Sequence, residues 1–296
     1  MIQKQNPDNK LGEKIRHLRI QLGITQKDLA GEKITRNMLS LIESGTASPS
    51  VSTLVYIADR LGTPTGYFFT STEEDEGRFL KMNVLPQLKD CFRARKYREC
   101  EEICAELPPY AFDDELSFML AVSFLGTACE FASALNLRSA MADLDKAQHY
   151  GDSSLYAGDH FRRAIHFHRE LFRSVCTDQI PDILCDPEVC GPYVAPSIVM
   201  YFRCLRQYRG DEEAVAVFPK GSYFDKHISA LQMMREDRLS EAQKRLRELS
   251  LDSALPYYMQ YRVLTDLEEA ANTIGDFRMA YSSARRKLEF IDRFKI

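Results

Sequence analysis

Residues 23–62 read GITQKDLAGEKITRNMLSLIESGTASPSVSTLVYIADRLG, short apolar stripes broken at close intervals by residues that start or stop helices. Thr25 stands before QKDLA with Asp28 three residues on, so its hydroxyl can cap the free amides of a short helix. Thr35 holds the same position before RNMLSLIE, and Gly45 closes that segment. Pro49-Ser50 opens a further amphipathic piece, SVSTLVYIADRL, which Gly62 ends. Upstream, Leu11, Ile15, Leu18 and Leu22 recur at three- and four-residue intervals, which predicts one more helix with a single apolar stripe, stopped at Gly23. Residues 1–70 thus predict a compact bundle of about five short helices.

Downstream comes STEEDEG, residues 71–77, read as an acidic linker. The remainder, 78–296, carries helical periodicity with no convincing strand or hairpin signal. A register recurs in it: a large residue followed three positions later by a small one, at Tyr97/Cys100, Leu137/Ala140, Leu239/Ala242 and Phe277/Ala280. Asp211/Ala214 is a degraded copy. Each pair follows turn-like residues, so each marks the second helix of a helical hairpin. The gap between Ala140 and Ala214 leaves room for a divergent unit over 154–190. Six stacked hairpins are expected, an all-α solenoid behind an all-α head.

Charge is uneven along the 296 residues, whose formal total is −4. Residues 1–70 hold nine Lys or Arg against six Asp or Glu, a net +3, while the linker contributes −4. A mildly basic head on an acidic body suits a modest DNA-contact surface. The N-terminus lacks a secretory signal, and no run reads as long and apolar enough to cross a bilayer, so the expected location is the cytoplasm. The eight cysteines are scattered through apolar helical patterns and read as buried thiols. Cys100 and Cys104, with Cys185 and Cys190, are spaced like metal ligands, but the first two coincide with packing positions and no C-x2-C pair exists. No phosphate loop, nucleophile elbow or zinc-protease motif is present, so neither an enzyme nor a cofactor is implied.

The ordered set Thr25-Gln26, Leu29-Ala30, Thr35-Arg36, Ile42-Glu43, Gly45, Pro49, Leu54, Ala58 and Leu61-Gly62 resembles the lambda-repressor-like, or XRE-type, helix-turn-helix family. That resemblance implies double-stranded DNA as the partner. Thr25 and Gln26 would start the helix that meets a backbone phosphate. Thr35, Arg36, Asn37, Ser40 and Leu41 would lie on the helix that enters the major groove, where Arg36 can pair with guanine, Asn37 with adenine and Leu41 can touch a thymine methyl. Phe124, Ala128, Phe131, Ala140, Leu144 and Ala147 resemble the packing positions of tetratricopeptide repeats. The combination is similar to the peptide-responsive regulators of Gram-positive bacteria. It implies a sequence-specific transcription regulator, a homodimer on a near-palindromic operator, whose repeat domain binds a short peptide or another effector. The alternative is a DNA-tethered scaffold that docks a protein partner. Projecting the repeat register places Arg203, Arg206, Gln207, His227, Arg235, Arg262, Thr265 and Asn272 on the inner wall, predicting a basic surface for a peptide carboxylate. Leu288, Ile291 and Phe294 in the last helix are expected to form the face that meets a second copy.

Overall fold

The computed structural model describes residues 7–70, 72–181, 191–209 and 218–294. Among them every regular element is helical. They divide into two compact units, one within residues 1–90 together with 102–113, the other within 91–101 together with 114–296.

The first unit opens with α1 (Pro7–Gln21), α2 (Gln26–Ala30), α3 (Arg36–Glu43) and α4 (Val51–Leu61), followed by a 3-10 turn at Thr65–Phe69. The start signals act as their chemistry requires. The hydroxyls of Thr25, Thr35 and Ser50 accept from the amides of Asp28, Met38 and Thr53 at 3.1–3.2 Å, which satisfies amides that no helical carbonyl reaches. Gly62, with φ 62°, ends α4 in the left-handed region. Leu11, Ile15, Leu29, Leu39, Ile42, Leu54, Ile57, Leu61 and Phe68 form the core, with Leu18 half-buried against it. Leu22, grouped with this stripe from its spacing, is exposed because α1 has already ended.

Gly12 sits where α1 crosses α3. A Cβ there would lie 2.1 Å from the Ile42 carbonyl oxygen and 2.9 Å from that of Glu43, so the two backbones meet at a distance only glycine permits. Lys14 reaches from α1 to the end of the small bundle. Its ammonium donates to the Tyr67 and Thr70 carbonyls, each at 3.2 Å, and its burial pulls the amine below the ordinary lysine range.

The acidic segment read as a linker is helical from Glu73 onward. It forms the first turn of α5 (Glu73–Arg93), with Thr72 accepting from the Asp75 amide at 3.1 Å. Four acids at a helix start face the positive end of its dipole, which is why the charge run folds instead of staying extended.

The second unit contains α7 (Asp114–Ser133), α8 (Leu137–Asp152), α9 (Asp159–Ser174), α10 (Pro196–Arg209), α11 (Tyr223–Arg235), α12 (Leu239–Ser250), α13 (Tyr257–Thr273) and α14 (Phe277–Arg293); α6 (Tyr97–Ala105) begins in it. The register read from sequence marks the first residues of α6, α8, α12 and α14, and Cys100, Ala140, Ala242 and Ala280 are all buried. One turn precedes all four. Arg95, Leu135, Asp237 and Gly275 adopt φ of 57°, 64°, 59° and 82°. The next amides, of Lys96, Asn136, Arg238 and Asp276, donate to carbonyls five residues back at 2.8–2.9 Å. This is the Schellman arrangement, and it gives each of these hairpins the same reversal. Stacking between repeats is close: a Cβ on Gly126 of α7 would strike the ring of Tyr97, the first register residue.

The expectation of six hairpins is not met among the described residues. After α9, residues 175–181 form turn and coil, and only a 3-10 turn, Gly191–Tyr193, precedes α10. Asp211 and Ala214, and with them Cys185 and Cys190, lie outside the described residues. The six described cysteines are free thiols. One further expectation fails: α7 is long and apolar enough, by length and composition, to cross a bilayer, yet 61% of that stretch is buried in the fold. Its apolarity serves the core, since Ala121, Phe124, Leu125 and Ala128 are covered by neighbouring helices.

Candidate nucleic-acid interface

α3 has one buried face and one exposed face. Leu39, Ile42 and Glu43 point inward, while Arg36, Asn37, Met38, Ser40 and Leu41 are exposed. At 100° per residue, Asn37, Ser40, Leu41 and Ser44 lie on the arc opposite the core, with Arg36 and Met38 at its edges. Polar donors and acceptors therefore occupy the centre of the outward face, beside two large apolar side chains, Met38 and Leu41, at 43% and 45% exposure. An α-helix of this kind fits the major groove, where guanidinium and amide groups pair with base edges and an aliphatic tip meets a thymine methyl.

What holds α3 in place is a buried carboxylate. Glu43 is 4% exposed and receives the guanidinium of Arg19 at 2.6 and 3.0 Å. Its second oxygen also accepts from the Gln26 side-chain amide at 2.8 Å. Arg19 donates once more, to the Ile24 carbonyl at 3.0 Å. The bond to Glu43 raises the Arg19 pKa above its ordinary value. α1, the turn before α2, the first residue of α2 and the last of α3 thus share one hub. Gln26, assigned to phosphate from sequence, spends its side-chain amide inside the domain. It positions α2 against α3, and Thr25 caps α2 while donating to the Asp28 carboxylate at 2.6 Å. At the other end of α2, the Tyr56 hydroxyl donates to the Ala30 carbonyl at 3.1 Å and Arg60 to that of Asp28 at 2.6 Å, so α4 closes the helix that α3 follows.

Residues 15–68 match the helix-turn-helix family. They are a helix-turn-helix domain. The chain therefore carries a DNA-binding domain of that family. No curated protein sequence matches it. A crystal structure of Bacillus thuringiensis PlcR in complex with the peptide PapR7 and DNA aligns over 96% of both chains, with 15% identity and a TM-score of 0.23, a score too low to bear on this chain. Within the helix-turn-helix domain, sequence reading missed the hub at Glu43, the Gly12 crossing and Ser44, which shares the outward face. The glycine inside an apolar helix pattern was the available signal for the crossing.

The residues assigned to an effector do not share one wall. His227 is fully buried, its ring between the Tyr201 hydroxyl at 2.7 Å and the Asp266 carboxylate at 2.8 Å. Arg262 is 3% exposed and donates to the Ser174 and Gln179 carbonyls, with its guanidinium over the Phe202 ring. Both tie the interior of the unit together. Arg206 donates to the Pro181 carbonyl at 3.1 Å, Thr265 to that of Tyr261 at 3.1 Å, and Arg203 and Asn272 are exposed, with Gln207 half-buried. Arg235 lies on the Tyr208 ring and donates to the Tyr208 carbonyl at 2.7 Å. A cleft of about 480 Å³ among α10, α11, α12 and α13 is lined by Arg235 and Arg262, but also by Asp237, Asp266 and Glu269 over Leu205, Leu231 and Met234. The cleft is of mixed sign rather than the expected basic wall, and of the eight projected residues it takes in only Arg235 and Arg262.

Proposed function

We propose that the protein is a cytoplasmic homodimer that reads a near-palindromic operator through α3 and changes its affinity for DNA when a short peptide occupies the repeat unit. The observation that carries the DNA half is the outward face of α3, where Arg36, Asn37, Ser40 and Leu41 stand together on a helix braced from behind by Glu43. Base reading requires side chains held on a rigid element, and this one is fixed at both ends.

The effector reading rests on the cleft among α10–α13, whose volume falls in the range of small-ligand sites. Its lining offers carboxylates and guanidinium groups over an apolar floor, which suits a peptide with both termini charged rather than one held by its carboxylate alone. The second reading, a scaffold that docks a protein, draws on the exposed apolar face of α14.

Selection of bound fragments from random duplex DNA with the full chain, without and with short synthetic peptides, tests the proposal. A near-palindromic consensus whose occupancy shifts with peptide supports it. Recovery of unselected DNA sinks the operator reading, and a consensus indifferent to every peptide sinks the effector reading alone.

A further inference from the structure

The last helix carries an apolar stripe that its own unit leaves uncovered. Phe277, Tyr281, Leu288 and Ile291 of α14 are 74%, 73%, 63% and 38% exposed, with half-buried Ala284 among them. At 100° per residue these five fall within an arc of about 80°. The opposite side of α14 faces inward, where Ala280, Ser283, Phe290 and Phe294 are buried. Phe294, assigned to the dimer face from sequence, is therefore a core residue.

The charges beside the stripe say what covers it. Along its exposed flank the order is Arg278, Arg285, Glu289, Asp292, all exposed: basic in the first half of the helix, acidic in the second. When two helices pack antiparallel about a two-fold axis, like flanks meet in opposite directions. Arg278 of one copy then approaches Asp292 of the other, while Arg285, close to the axis, keeps its ion pair with Glu289 of its own helix at 2.9 Å. Tyr281 meets Leu288 across the axis, and the small Ala284 lies at its centre, where helix backbones come closest. A parallel pairing lacks this match, since the charged flank would meet the opposite flank of the partner helix.

We infer that α14 pairs antiparallel with α14 of a second copy of this chain, burying the Phe277–Ile291 stripe and matching Arg278 with Asp292. This deepens the homodimer reading above and rests on it. Four large apolar side chains exposed along one helix face mark a contact surface, and the flanking Arg278 and Asp292 select the same helix as the complement.

The test is a charge exchange in the full chain, read by sedimentation velocity across micromolar concentrations, with thermal melts confirming that each variant is folded. Arg278→Glu and Asp292→Arg should each weaken the dimer roughly tenfold, because each places like charges together at two symmetry-related sites. The double variant Arg278→Glu/Asp292→Arg should restore it. The two positions lie about 21 Å apart along one helix, so rescue cannot arise within a chain. Tyr281→Asp/Leu288→Asp should shift the protein to monomer. A wild-type dimer that is unmoved by Tyr281→Asp/Leu288→Asp, or a double exchange no better than the singles, overturns the placement on α14 while leaving the homodimer intact. A wild-type monomer at these concentrations overturns both, whatever the DNA selection returns.

Discussion

At the scale of single residues, this domain separates groups that read from groups that hold. Arg36 is exposed at the start of α3 and belongs to the first kind. Arg36→Ala should cost roughly 1–3 kcal/mol at the preferred operator and far less on unrelated DNA, since one bidentate base contact is worth that much discrimination. Equal losses on both duplexes, measured by fluorescence anisotropy at one salt concentration, would move Arg36 off the base edges. Gly12 belongs to the second kind. In Gly12→Ala the new methyl meets backbone carbonyl oxygens of Ile42 and Glu43, which cannot rotate away as a side chain would. α1 and α3 must separate, at a cost of roughly 1–3 kcal/mol for an overpacked site. Both the melting temperature and the affinity for every DNA sequence should fall, and an unchanged melt would show that the crossing has slack. The threonine caps were legible in sequence because a cap is a local event between residues three apart. The Glu43 hub was not, because its partners Arg19 and Gln26 lie 24 and 17 residues away and nothing in spacing says which surface polar residue turns inward.

Elements show the same division between local and non-local information. The register at Tyr97, Leu137, Leu239 and Phe277 located four helix starts, since a Schellman turn and a small residue one turn into the helix are both short-range features. Between α8 and α11 that pattern lapses, and the inner wall projected from it failed on α11 and on α13, where His227 and Arg262 are buried. The join between elements has a titratable pin. His168 on α9 is buried, with Nε2 3.1 Å from the Tyr193 carbonyl and Nδ1 3.7 Å from the Cys129 thiol of α7. Because a carbonyl only accepts, Nε2 carries the proton and Nδ1 faces the thiol. Burial lowers the His168 pKa from its ordinary 6.5 and pushes the Cys129 thiol up to about 12, so both are neutral near pH 7. Below pH 6.5 the unfolded chain takes up a proton at His168 that the folded state resists. Its stability contribution is complete above pH 6.5 and is lost progressively as pH falls below that value. His168→Gln keeps an N–H donor for Tyr193 and removes the titration. Urea midpoints taken from pH 7.5 to 5 should fall less steeply in the variant than in the wild type, and parallel curves would show that His168 does not couple protons to folding.

For the whole molecule, the division of labour follows from charge and size. Residues 1–70 carry a net +3 within a chain of −4, so attraction to DNA is confined to a small head, and its non-specific hold on phosphate is weak. One α3 of eight residues spans only a half-site. In the proposed homodimer, tight binding comes from joining two such heads through the α14 pairing. The geometry of DNA then makes a sharp demand. Successive major-groove faces on one side of the duplex recur about every 10–10.5 base pairs, roughly 34–36 Å. Five base pairs inserted between the half-sites of the selected operator turn one of them to the far side. The joined heads can no longer engage both, and affinity should fall to that of a duplex bearing a single half-site, at least tenfold weaker. In Tyr281→Asp/Leu288→Asp, whose heads are no longer joined, the insertion should change little, because each head already binds alone. The discriminating measurement is therefore the ratio of affinities for the original and the expanded operator in the two proteins. A large ratio for the wild type that collapses in the variant ties operator spacing to α14. A ratio near one in the wild type would mean that a single head binds on its own, and the two-fold arrangement would lose its purpose.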